Sequence, residues 1–329
     1  MATQEKPLLK IQFTDLWRSF DPVDNYIHQL LSTVYQLELS TEPDVLIYGR
    51  HGQQYLQYNC LRIFYTGENV RPDFSACDYA LTFDYLQHSR HFRWPLYVHY
   101  INYYNAWQQL QTPLTREEAT AIWQQKNKFC CMVVSNPACD KRIDFFHQLS
   151  AVKQVDSGGR YLNNVGGPIA DKMAFIKDYK FVIAFENSAY PGYTTEKIVE
   201  PMMVHSIPVY WGNELVHNDF NPASFIWLNK TTNMEAVIQQ MLEIDRNPEL
   251  GINLLMQPVL NNNEYFEGAK AENVLPFLVD AIESRHQIAL VANNPYKRKL
   301  HRFKKLYAFK KRKLQQTTTY KMWQKQFSK

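Results

Sequence analysis

Short apolar runs separated by polar turns dominate the first part of the chain. Leu8 to Phe13, Asp44 to Tyr48, Leu61 to Tyr65 and Tyr79 to Phe83 each have the length and composition of a buried strand. Between the first two, Val23 to Tyr35 places Tyr26, Ile27, Leu30, Leu31 and Val34 on one helical face. Residues 84–128 are polar and aromatic, and Thr115, followed by Glu117 and Glu118, opens a helix to Gln125. A second series starts at Phe129. It runs through Cys130 to Val134 as a strand, a helix over 140–149, and apolar segments at Val152 to Val155, Phe181 to Phe185, Ile207 to Tyr210 and Phe225 to Leu228. Helices follow over 236–244 and 275–285, with Pro276 suited to the first turn of the second. Strands alternating with helices imply parallel sheets, so the pattern predicts an α/β protein of two such units.

The polar residues that break this rhythm most sharply lie between Phe181 and Gly212. Glu186, Asn187 and Ser188 follow an apolar strand at once, which is where an α/β sheet binds ligands. The loop then runs through Tyr193 and Thr194 into Thr195, Glu196 and Lys197, ahead of Ile198, Val199, Met202 and Met203 at helical spacing. Either threonine can cap that helix, whose exposed N–H groups and adjacent Lys197 suit a phosphate. Pro201 predicts that the helix is short or kinked.

Three blocks in this segment, F-x-x-A-F-E-N-S, Y-x-T-E-K-I and I-P-V-Y-W-G, carry a resemblance. They resemble the donor-binding signature of the α1,3/α1,4-fucosyltransferases, glycosyltransferase family ten, bacterial members especially. The resemblance implies two doubly wound Rossmann-like domains facing across a cleft, the GT-B arrangement. It also implies an acceptor-binding domain over 1–125, a donor-binding domain over 126–292 and a basic tail over 293–329. The expected reaction is inverting transfer of L-fucose from GDP-β-L-fucose to the 3-hydroxyl of GlcNAc or Glc in N-acetyllactosamine-type or lactose-type acceptors.

Site residues follow from the same match. Glu68, in Tyr65-Thr66-Gly67-Glu68-Asn69 after an apolar strand, corresponds to the family's proposed general base. Arg142, after the Asn136-Pro137 turn, corresponds to an arginine on the pyrophosphate, a role suited to a planar guanidinium. Asn187, Tyr193, Glu196 and Lys197 correspond to donor contacts, and Glu186 adjoins them in the same block. Asp15, Trp17, His91 and Trp94 are polar or aromatic groups in expected loops where an acceptor sugar could rest. No D-x-D pair and no His or Cys spacing marks a metal site. Fixed cations are therefore expected to neutralise the departing GDP, with a divalent metal at most a stimulant. Two other readings use the same residues: transfer from another nucleotide sugar, and a non-catalytic sugar-binding or nucleotide-binding homologue.

Charge changes the picture at one end only. Residues 293–329 hold 13 of the 36 Lys and Arg and none of the 32 acids, leaving 23 basic against 32 acidic residues elsewhere. Leu300, Phe303, Leu306, Tyr307 and Leu314 recur among these cations as on a basic amphipathic helix, which implies attachment to an anionic membrane surface. The acidic body argues against nucleic acid as the partner. Five cysteines without a C-x-x-C pair read as free thiols, and the N-terminal residues show no signal sequence. The expected location is the cytoplasm, on the inner face of the membrane.

Overall fold

The computed structural model describes residues 5–264 and 266–316. Its strands are β1 (Leu8–Thr14), β2 (Gln36–Leu39), β3 (Val45–Tyr48), β4 (Leu61–Tyr65), β5 (Tyr79–Thr82), β6 (His91–Arg93), β7 (Lys128–Met132), β8 (Val155–Ser157), β9 (Tyr179–Phe185), β10 (Ile207–Trp211) and β11 (Ile226–Trp227). Its helices are α1 (Tyr26–Ser32), α2 (Leu96–Tyr103), α3 (Trp107–Gln111), α4 (Arg116–Gln125), α5 (Asp140–Val152), α6 (Lys172–Ile176), α7 (Glu196–Met203), α8 (Met234–Arg246), α9 (Pro248–Leu255), α10 (Ala271–Glu283) and α11 (Pro295–Gln316).

Two wholly parallel sheets result, ordered β2-β1-β3-β4-β5-β6 and β11-β10-β9-β7-β8. In each, the chain runs outward in one direction and then turns back. The reversals fall between β1 and β3 in the first sheet and between β7 and β9 in the second. Loops leaving the carboxyl ends of neighbouring strands there diverge and open a crevice. The central strands β3 and β4 are buried along their whole length. Both are continuous apolar runs save Arg62, as a parallel sheet covered on two faces requires.

The apolar pattern located these central strands. It missed β2, whose residues are mostly exposed, and β6, whose three residues are half-buried, because neither edge carries a strong hydrophobic signal. Val152 closes α5 instead of opening a strand, so β8 starts at Val155. Pro276 lies well inside α10, which begins at Ala271. Thr115 caps α4 in a reciprocal box with Glu118.

Packing departs from the expected domain limits. Ala119 and Trp123 of α4 join the core of the second sheet, beside α9. Val274, Leu278, Ala281 and Ile282 of α10 pack with Ile27, Leu30 and Leu31 of α1 on the first. The chain therefore passes to the second domain before α4 and returns after α9. The basic tail also begins docked, because the buried His301 ring of α11 meets the Tyr55 hydroxyl at 2.6 Å and Asp73 at 2.9 Å. Lys304 reaches the same carboxylate at 2.7 Å.

The domains are joined by α2 packed on α7 and by an ion pair across the seam. Arg93 grips Asp219 with two nitrogens at 3.1 and 2.6 Å, its guanidinium lying 4.3 Å from the Tyr85 ring centre and 4.6 Å from that of Phe266. Removing one partner of such a buried pair strands the other's charge. We expect Asp219→Ala to destabilise the protein by about 3 to 5 kcal/mol. Urea unfolding measures it, and an unchanged midpoint would show that the seam does not rely on this pair.

Candidate active site

Loops leaving β1, β3, β4 and β9, with residues of α2 and the start of α7, line one open cleft. From the first domain come Trp17 after β1, Arg50 and His51 after β3, and Thr66 to Glu68 after β4. Asn187 after β9, together with Tyr193 and Thr195 to Lys197, forms the opposite wall. Glu68 is 42% exposed and faces Arg50 at 3.8 Å, a solvent-screened contact that leaves its carboxylate available. Its own N–H donates to the Thr66 hydroxyl, which folds the turn that presents it.

The other wall is held from beneath. Glu186 is fully buried and accepts hydrogen bonds from the Thr195 amide at 2.7 Å and the Thr195 hydroxyl at 2.8 Å. Its second function is electrostatic, because Lys197 Nζ lies 3.3 Å away. The same ammonium donates to Thr195 Oγ1 at 2.9 Å and to Glu196 at 3.2 Å. Thr195 stands at the cap position of α7, yet its hydroxyl serves Glu186 and no side chain caps the helix start. The helix is short, as Pro201 implied. Gly212, at φ 153°, makes room for the buried carboxylate: a Cβ there would meet Glu186 Cγ at 2.5 Å.

The ionisation of the three charged groups follows from this packing. Burial opposes charge on Glu196, but Lys197 and Lys172 overcome it and hold its carboxyl at about 2. Burial likewise opposes charge on Lys197, and Glu186 with Glu196 reverses the balance and pushes it well above the usual lysine range. For Glu186, burial dominates and raises the carboxyl, with Lys197 acting against the rise.

Of the residues singled out from sequence, Glu68, Trp17, Asn187, Tyr193, Glu196 and Lys197 line one cleft. Glu186 does not: it turns inward and positions Lys197. Arg142 is also fully buried, donating to the Phe185 carbonyl, to Asn187 Oδ1 at 3.0 Å and to the Asn136 carbonyl at 2.7 Å. It lies behind Asn187 and does not reach the cleft surface itself. Three acceptor candidates are corrected. Asp15 accepts the Gln54 and Tyr55 amides and so shapes the 49–57 loop. His91 uses both ring nitrogens, on Thr82 and the Leu86 carbonyl. Trp94 is a core residue, 1% exposed, against Tyr26 and Tyr65. Arg50, His51 and Tyr100 were missed, although Gly49-Arg50-His51 follows a strand end just as Glu68 does. Among the described residues, no group of three or more His, Cys, Asp or Glu is placed to hold a metal, and all five cysteines are buried and unpaired.

Two parallel-sheet domains whose reversals open on one cleft, with a free carboxylate on one wall and a lysine at a helix start on the other, are the layout of a GT-B glycosyltransferase. A model of the α-(1,3)-fucosyltransferase FucT N-terminal domain matches residues 11–100, and one of the C-terminal region of glycosyltransferase family 10 (fucosyltransferase) matches residues 123–252. The chain belongs to glycosyltransferase family 10. It is similar to α-(1,3)-fucosyltransferase FucT of Helicobacter pylori, 28% identical over 327 residues that cover 86% of this chain and 68% of that protein. Human α-(1,3)-fucosyltransferase 4 is 30% identical over 145 residues, 42% of this chain and 25% of that one. A crystal structure of an α1,3-fucosyltransferase with GDP-fucose superposes with a TM-score of 0.72 at 26% identity, covering 86% of this chain and 93% of that one. A further α1,3-fucosyltransferase structure gives 0.75 at 26% identity, covering 89% and 94%.

One group beside the cleft makes stability depend on pH. Burial between Trp17, Tyr65 and Tyr100 pushes the His99 imidazole down to about 4. Above pH 6.5 neither folded nor unfolded His99 is protonated. Between 6.5 and about 4 the unfolded chain takes up a proton that the folded one refuses, so stability falls as pH falls, by up to about 3 kcal/mol. Urea midpoints at pH 7 and pH 4.5 measure the loss, and His99→Phe should shrink it. An equal loss in that variant would assign the effect to other groups.

Proposed function

We propose that the protein is an inverting α1,3-fucosyltransferase that moves L-fucose from GDP-β-L-fucose to the 3-hydroxyl of GlcNAc or Glc in N-acetyllactosamine-type or lactose-type acceptors. The observation that carries this reading is the opposition of Glu68 to the Lys197 helix start across one cleft. Inversion in a single displacement needs a base on the acceptor side and charge neutralisation on the donor side. The acceptor hydroxyl passes its proton to Glu68 as its oxygen bonds the fucose anomeric carbon. The bond from that carbon to the β-phosphate oxygen breaks, and its electrons leave with GDP. Lys197 and the uncapped start of α7 stabilise the charge that collects there. Glu196, ionised beside them, accepts hydrogen bonds from ribose or fucose hydroxyls. A phosphate oxygen competing with Asn187 for Arg142 would draw that guanidinium into the site, since Asn187 Oδ1 already holds one of its donors. No step requires a metal, and a divalent cation enters only as a stimulant.

Loss of general-base help typically costs about 10² to 10⁴ in rate. Glu68→Gln should therefore lower kcat by at least the smaller of these factors with GDP affinity unchanged, whereas Lys197→Ala should weaken GDP binding. Turnover and calorimetric titration of GDP check the pair; a fully active Glu68→Gln protein would remove that residue from the mechanism. Thermal shifts with GDP-fucose, GDP-mannose and UDP-sugars separate this donor from its rivals.

The reading extends to location, on the cytoplasmic face of the membrane. Supporting it, α11 leaves Leu300, Phe303 and Tyr307 exposed on one face among lysines and arginines. No helix among the described residues is long and apolar enough to cross a membrane. Leu314 and residues 317–329, also assigned to the tail's surface, lie outside what the structure describes at side-chain level. Replacing Leu300, Phe303 and Tyr307 by serine should release the protein from phosphatidylserine vesicles while transfer to soluble acceptors persists. Undiminished sedimentation with vesicles would refute the attachment.

A further inference from the structure

The catalytic cleft does not end at Trp17. That indole, with Ser19 and Tyr100, also walls a second cavity of about 810 Å³, whose far side is Asp24 and Tyr103. The three shared residues place the two cavities side by side. A third cavity, near Arg71 and Tyr190, is cut off from the cleft by a bridge. There Asn69 donates to the Ser188 hydroxyl at 2.7 Å and to its flank Arg71 stacks 3.7 Å from the Tyr190 ring centre.

We infer that the second cavity is an acceptor subsite that binds a neutral oligosaccharide at units beyond the one that reacts. The inference rests on the transfer reading above. The cleft has to hold a nucleotide sugar as well as the reacting unit, so the further units of a longer acceptor lie outside it, and on the acceptor wall the neighbouring cavity is the one beside Trp17. The lining has the chemistry of a sugar site. Sugar rings present C–H faces to aromatic faces and hydroxyls to carboxylates. Tyr103 at the end of α2 meets the Tyr104 ring edge-to-face at 5.1 Å and still leaves 66% of its surface exposed. The Asp24 carboxylate accepts no hydrogen bond from a described residue, whereas Asp21 beside it is occupied by the amides of Val23 and Asp24. Two carboxylates at one mouth repel acidic sugars, which sets the preference for neutral chains.

Titration calorimetry without donor tests this directly, using a neutral disaccharide of galactose and N-acetylglucosamine and its tetrasaccharide. The wild-type protein should bind the tetrasaccharide about tenfold more tightly, equivalent to about 1.4 kcal/mol. Tyr103→Ala and Asp24→Ala should bind both sugars alike, with disaccharide affinity unchanged. Equal affinities in the wild-type protein, or a parallel loss for both sugars in the variants, would overturn the subsite. A transfer assay with GDP-fucose is read separately: its failure alongside the expected length preference would sink the donor reading and leave the subsite standing.

Discussion

A carboxylate with no exposure to water organises the donor wall. Glu186 stays charged in the protein interior only where its oxygens are satisfied, and Thr195 and Lys197 satisfy them. The cost of that arrangement is borne by Gly212, which surrenders its side chain, and by α7, which loses its cap. In return, a lysine that would otherwise sweep freely is fixed at a helix start, with Glu196 beside it. Such a pair contributes little stability over apolar packing of the same shape; its value is positional. Everything on the donor side of the cleft, from the ionisation of Glu196 to the uncapped amides, follows from where that buried charge sits.

Position on the acceptor side comes from the sheet itself. Glu68, Arg50 and Trp17 leave strands β4, β3 and β1, and the reversal between β1 and β3 spreads their loops apart. A base that must take a proton from one substrate while GDP departs from the other profits from this division. Each half of the chemistry is set by a separate rigid sheet, and packing of α2 on α7 fixes the distance between them. Gly192 permits close approach elsewhere along the seam, since a Cβ there would lie 2.4 Å from the Phe83 carbonyl oxygen.

The parts of this protein legible in its sequence are those where one local signal suffices. Buried parallel strands announce themselves as apolar runs, and motif blocks mark five of the residues that line the cleft. What stayed hidden depends on direction. Glu186 and Asn187 are neighbours just past the end of β9, yet one is buried and the other lines the cleft, a difference that composition does not show. Arg142, expected on the pyrophosphate, is fully buried behind Asn187. His91 and Trp94 seemed available because they lie in an aromatic, polar stretch, whereas long-range contacts with Thr82, Tyr26 and Tyr65 consume them. The return of α10 to the first domain had no local signal at all, since an amphipathic stripe says that a face is covered and not by which sheet.

That return has a mechanical consequence. Because the backbone crosses the seam twice, the domains are tied at two points. Near the first, Gln109 donates to the Met203 carbonyl at the end of α7; near the second, Asn221 and Asn261 pair with Val259 and Asp219 beside the Arg93 clasp. Two tethers define a line, and bodies held along a line can rotate about it but cannot slide or twist past each other. Glu68 is thereby kept at one station along the cleft it shares with Lys197.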